Sequence, residues 1–216
     1  MSVESEHYII GYGSLLSHDS RYRFSGINCP AIPVQLSGWR RAWTTRTLHQ
    51  QQTCLSAKTD KDANFNAVLL PIERIGPELV KREQDYEFVR VPNSQLHLLE
   101  HEQGTTTGDQ LASKQLAGKS VWICQNKHNE GANADYPICQ TYVDTCIAGC
   151  LETGLIDFAL DFLHSTLGWD AGWDGGWIND RHAPRYPRAA ATSEHSQQGI
   201  DQILAEAGLL QFRQEN

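Results

Sequence analysis

The chain has 216 residues, of which 40% are hydrophobic and 20% charged, with a formal net charge of −8. That is enough chain for one substantial core, and a second domain would be cramped. The acidic balance argues against a nucleic-acid partner, which needs a basic face, and no apolar run approaches the roughly 20 residues that span a bilayer.

In chain order, Tyr8, Ile9, Ile10 and Tyr12 are strand formers. They lead into a tight loop, Tyr12-Gly13-Ser14-Leu15, where Gly11 and Gly13 free the backbone. The N–H groups of Gly13, Ser14 and Leu15 could converge there on an anion or a carbonyl oxygen. A plain strand-to-helix turn without a ligand is the alternative for so short a motif. Residues 17–30 read as a polar connection. Val34 to Trp43 alternates weakly, as a strand with a bulge at Gly38. Cys54–Lys58 and Phe65–Ile72 are further strands, with the polar segment Lys58–Asn64 as a turn between them. Gly76 to Glu83 reads as a short helix, with Pro77 suited to its first position and Glu78 to its positive end. Tyr86–Val91 alternates as a strand and Ser120–Gln125 is another, while residues 100–119 and 126–136 read as loops.

Ile147, Cys150, Leu151, Leu155, Phe158, Phe162 and Leu163 recur at three- and four-residue spacing. The spacing predicts helix from about Thr141 to Leu167, with Gly149 and Gly154 as points of interruption. An irregular segment follows, in which Trp169, Trp173 and Trp177 either pack a loop onto the core or form a lid. A last helix covers about Ser196–Ala207 and stops at Gly208. Strands early and helices late make an α+β domain on a curled, mostly antiparallel sheet. The expected organisation is a single domain over residues 1–216, with a helical and Trp-rich C-terminal extension from about residue 147.

The six cysteines, Cys29, Cys54, Cys124, Cys139, Cys146 and Cys150, form no CxxC pair. The acidic N-terminal MSVESEH lacks the pattern of a signal peptide, so a cytoplasmic location and reduced, buried thiols are expected. Zinc held by cysteines, or by pairs four apart such as Cys124 with His128 or His97 with His101, is the weaker reading. No metal and no cofactor is expected.

Four elements in order resemble the gamma-glutamylcyclotransferase superfamily, including its ChaC-like branch: Tyr12-Gly13-Ser14-Leu15, Gly38-Trp39-Arg40-Arg41, Arg82-Glu83-Gln84-Asp85-Tyr86 and Gln140-Thr141-Tyr142-Val143. The resemblance covers roughly residues 7–146. It implies a mixed, mostly antiparallel β-barrel with flanking helices. It also implies an enzyme that turns a γ-glutamyl compound, glutathione or a γ-glutamyl amine or amino acid, into 5-oxoproline and a released amine. By the same resemblance Glu83 handles the protons, Tyr12, Gly13, Ser14 and Leu15 hold the γ-glutamyl group, and Tyr142 lies near the pocket. The segment Asn179 to Arg188 is unlike the minimal family core and could reshape the pocket mouth.

The chemistry agrees with these residue types. An α-ammonium with a pKa of about 8 needs only a weak base. Loop N–H groups can stabilise the charge that develops on the carbonyl oxygen. One carboxylate can take and return the proton. The alternative for Glu83 is a solvated side chain paired with Lys81 or Arg82. Arg40 and Arg41 alternate across a strand, so only one can face a pocket and grip a substrate carboxylate. The expected partner is a small γ-glutamyl molecule, with no nucleic acid and no membrane, and the sequence leaves the oligomeric state unknown. The competing functions are a non-catalytic module that binds a γ-glutamyl or amino-acid ligand on the same fold, and a thiol or metal protein built on the later cysteines.

Overall fold

The computed structural model describes residues 6–99 and 116–215. The strands are β1 (His7–Gly11), β2 (Ile32–Thr47), β3 (Gln52–Ile72), β4 (Tyr86–Val91), β5 (Leu96–Leu98), β6 (Ser120–Asn126), β7 (Ile138–Cys139), β8 (Thr166–Leu167) and β9 (Trp177–Ile178). The helices are α1 (His18–Ser25), α2 (Pro77–Arg82), α3 (Gln140–Leu151), α4 (Phe158–His164) and α5 (Glu194–Glu206). The main sheet runs β4-β6-β1-β3-β2-β5, with β8 beside β2, and a small second sheet joins β7 to β9. Pairing is mostly antiparallel; β1 with β6 and β2 with β8 are parallel.

The sheet is curled and partly open. The barrel implied by the family resemblance is corrected here, because β4 and β5 stand at opposite ends of the path and do not pair. Apolar side chains of β1, β3 and β6, among them Ile9, Ile10, Leu69, Leu70 and Ile123, form the core under the flanking helices.

Three local expectations change. Residues 17–30 contain helix α1, which starts at Ser17, whose side chain accepts from the Ser20 N–H, and stops at Gly26 in the left-handed region. Its apolar signal is weak because Arg21 and Ser20 occupy its buried face. The expected turn at Lys58–Asn64 lies inside one long strand, β3, because β2 is long enough to pair on both sides of it. The register jumps from Ser37 opposite Asn64 to Trp39 opposite Thr59, so the polar residues between bulge out. The bulge at Gly38 is present, with φ +80°. The long helix over 141–167 is two helices, broken where Gly154 and Asp157 take φ values of +69° and +66°.

The helix at Pro77–Arg82, the strands β4 and β6 and the last helix stand close to where the sequence places them. Most of the expected loop at 100–119, and His101 with it, lies outside the described residues. Among the described residues no helix is long and apolar enough to cross a membrane.

Candidate active site

β1 delivers Tyr12 and Gly13 to the edge of the core, and the chain then turns through a short 3-10 segment, Ser14–Leu16. The Leu16 N–H returns to the Gly13 carbonyl at 2.9 Å, while the earlier N–H groups have no partner within the turn, as at any helix start. The Tyr12 hydroxyl donates to the Cys124 carbonyl on β6. α3 packs hard on the end of this loop: a Cβ at Gly149 would sit 2.3 Å from the Leu16 carbonyl carbon and the Ser17 nitrogen. At the other end of the loop a Cβ at Gly13 would sit 2.8 Å from the Tyr142 hydroxyl. Both glycines are therefore required by close approach.

Glu83 is the residue at the C-terminal end of α2. It pairs with Arg82, as the solvated alternative supposed, but the pair is not solvated. The Arg82 side chain is 1% exposed and that of Glu83 11%. The Arg82 guanidinium donates through Nε to Glu83 Oε1 at 3.1 Å and through Nη2 to Ser14 Oγ at 2.8 Å. Its remaining bonds go to the Ser20 carbonyl and hydroxyl and to the Ser25 hydroxyl of α1. One cation thus ties the glycine loop to the carboxylate across 68 positions of sequence.

The six residues expected at the site, Tyr12, Gly13, Ser14, Leu15, Glu83 and Tyr142, line one cleft together with Ile10, Leu55, Tyr86 and Cys124. The cleft has a cavity volume of about 20 Å³, room for roughly one water molecule, and opens to solvent. Two larger grooves, one beside Arg21 and Glu152 and one along Pro71–Leu79, contain none of the six.

Three phenols surround the cleft. Burial pushes the Tyr12, Tyr86 and Tyr142 hydroxyls well above the usual tyrosine range, and neighbouring thiol and carboxyl groups push the same way. They stay neutral and can donate hydrogen bonds. The Tyr86 hydroxyl already donates to the Leu55 carbonyl at 2.7 Å.

Tyr142 is held by the C-terminal region. Its ring meets Trp43 edge-on at 5.4 Å and stacks on Tyr186 at 4.3 Å. Trp43 meets Trp169 at 5.1 Å, and Trp169 meets Trp177 at 5.0 Å. Trp169 and Trp177 are buried in this ladder, while Trp173 is exposed against Phe212. The tryptophans therefore pack a loop onto the core, and the lid reading is set aside. Asp180 accepts from the Thr141 N–H at 2.8 Å and from the Thr141 hydroxyl at 2.6 Å, and so caps α3 one residue before Tyr142.

Neither arginine of the Gly38-Trp39-Arg40-Arg41 element is free for a substrate. Arg40 pairs with Asp60 at 2.5 Å. Arg41 is fully buried between the rings of Phe65 and Phe162, and its guanidinium is spent on Tyr12, Asn66, Phe162, Ser165 and Thr166. Burial lowers its pKa to about 10, which still leaves it charged near neutrality. It is a structural strut beneath the loop.

The sequence reading assigns no site role to Arg82, named only as a surface partner of Glu83, or to Tyr86, named only in the resembling segment and as the start of a strand. Their placement against the Tyr12–Leu15 loop is a tertiary fact with no periodic signal. Among the described residues no group of three or more His, Cys, Asp or Glu side chains is arranged to hold a metal.

No protein-family model matches the chain, and no curated protein matches it. Solved structures do. One is a gamma-glutamyl cyclotransferase, at TM-score 0.50 and 11% identity, covering 90% of this chain and 98% of its own. Another is uncharacterized protein loc79017 from Homo sapiens, at TM-score 0.51 and 12% identity, covering 92% of this chain and 99% of its own. The chain has the gamma-glutamyl cyclotransferase-like fold. The likeness extends over nearly the whole of both solved chains.

Proposed function

We propose that the protein is a gamma-glutamyl cyclotransferase-type enzyme, which converts a γ-glutamyl compound into 5-oxoproline and a free amine. One observation carries this reading: a single buried guanidinium, that of Arg82, contacts both the Ser14 loop and the Glu83 carboxylate on one small cleft. A γ-glutamyl group in that cleft would lie between anion-stabilising N–H groups and a proton acceptor.

In the reaction the substrate's α-ammonium gives a proton to Glu83. The freed amine attacks the γ-carbonyl, forming the new C–N bond of a five-membered ring. The N–H groups of Gly13, Ser14 and Leu15 and the Tyr142 hydroxyl stabilise the oxyanion. The old amide C–N bond then breaks as Glu83 returns its proton to the leaving nitrogen, and the ring nitrogen gives its second proton to the released amine. Tethering the nucleophile to its target supplies much of the rate.

The test is product analysis by mass spectrometry on a γ-glutamyl compound and its N-acetylated form. The expected result is 5-oxoproline from the first and no product from the second. Free glutamate as the first product, or turnover of the acetylated compound, overturns the mechanism. Glu83→Gln should slow the reaction about 10²-fold or more with the fold intact. Binding without any turnover by the wild type would favour the non-catalytic module.

A further inference from the structure

An acidic protein that binds an acidic small molecule needs a local cation. Beside this cleft the nearest guanidinia are committed: Arg82 to Glu83 and three serines, Arg41 to the core. The exception is Arg188, in the segment that follows β9. It is half-buried, and its guanidinium rests 5.3 Å from the centre of the Tyr186 ring. Its Nε donates to the Tyr186 hydroxyl at 3.3 Å. A guanidinium carries five N–H donors, and among the described residues no carboxylate pairs with this one and its two terminal nitrogens meet no acceptor. By contrast Arg21, Arg181 and Arg213, the other arginines with well-buried side chains, each face a carboxylate.

Its position is fixed relative to the cleft. Tyr186 stacks on Tyr142, which lines the cleft. The Arg188 carbonyl accepts from the Ser20 hydroxyl at 3.0 Å, and that hydroxyl also binds Arg82. Arg188 is close enough to Glu83 for the two charges to interact. It neighbours the cleft through Tyr186 and Ser20 without being among the residues that line it.

We propose that Arg188 is a specificity residue that grips the carboxylate of the leaving amino acid, so that the site prefers γ-glutamyl amino acids or peptides over γ-glutamyl amines. This rests on the cyclotransferase reading above. A planar guanidinium with both terminal nitrogens open matches a carboxylate in bidentate fashion.

The experiment compares γ-glutamylalanine with γ-glutamylethylamine, which lacks only the carboxylate. Binding is measured by calorimetry on Glu83→Gln, in which turnover is slowed about 10²-fold or more, with wild-type 5-oxoproline release followed separately. The carboxylate compound should bind about 10- to 100-fold tighter. That preference should collapse toward unity in Glu83→Gln/Arg188→Gln and be partly kept in Glu83→Gln/Arg188→Lys, which retains the charge. No preference in the first protein, a preference that survives Arg188→Gln, or equal weakening of both compounds would overturn the assignment. A preference in binding without 5-oxoproline from the wild type would overturn the proposed reaction and leave the recognition standing.

Discussion

Arg82→Met keeps the length of the side chain and removes the guanidinium at the centre of the site. Five hydrogen bonds are lost, to Glu83, Ser14, Ser25 and twice to Ser20. At about 1.5–3 kcal/mol each for bonds to a charged group they would sum to roughly 8–15 kcal/mol. That sum overcounts, because one group makes all five and the serine hydroxyls can turn elsewhere. The closer guide is the removal of one partner from a buried ion pair, about 3–5 kcal/mol, since Glu83 is left with little solvent to replace its partner. With a urea slope of about 2 kcal/mol/M, the unfolding midpoint should drop by roughly 1.5–2.5 M. Urea titration followed by far-ultraviolet circular dichroism measures it. A midpoint within about 0.5 M of wild type, at unchanged slope, would refute the idea that this guanidinium holds the loop and the carboxylate together.

Gly149→Ala places a methyl 2.3 Å from the backbone at Leu16 and Ser17, neither of which can swing aside. It should cost about 1–3 kcal/mol or more in thermal or urea unfolding and lower activity, because the displaced helix carries Tyr142. Asp180→Ala leaves the Thr141 N–H and hydroxyl without their acceptor and should cost about 1–2 kcal/mol; a loss below a few tenths would show that the cap is redundant. Stability should also fall at alkaline pH. Burial pushes the Cys54 and Cys150 thiols up to about 12 from an ordinary 9.0. The unfolded chain then releases these protons first, so the contribution is whole below about pH 9 and is lost as pH rises toward 12, by up to about 1.4 kcal/mol per group and pH unit. Equal urea midpoints at pH 7.5 and 10.5 would contradict it.

The sequence made the strands legible where one face alternates, as at Tyr86–Val91, and where a loop chemistry is fixed by glycine, as at Gly13. It failed where long-range pairing decides. The polar residues after Lys58 look like a turn in isolation and are carried inside β3 only because β2 extends far enough to pair on both sides. Helix α1 hides its pattern because Arg21 is buried through its bonds to the Leu16 and Cys29 carbonyls. The six expected site residues do converge, yet the groups that bind them together, Arg82, Tyr186 and Asp180, lie in segments whose composition alone marks no role. A closed barrel could not be told from a curled open sheet, since closure depends on whether the two edge strands meet.

The cleft is assembled from distant parts of the chain, which synthesis delivers at different times. β1 pairs in parallel with β6, and the helix that carries Tyr142 is capped by Asp180 through Thr141. Between Tyr12 and Asp180 a ribosome adds roughly 170 residues, which at about 5–20 residues per second takes on the order of 8–34 s. Arg82 and Cys124, the partners of Ser14 and Tyr12, are made within that interval, whereas the Asp180 cap comes only at its end. The complete cleft is therefore a property of the finished chain: shorter fragments have the loop, the carboxylate and the Arg82 guanidinium that joins them, but not the Asp180 and Tyr186 contacts that hold Tyr142.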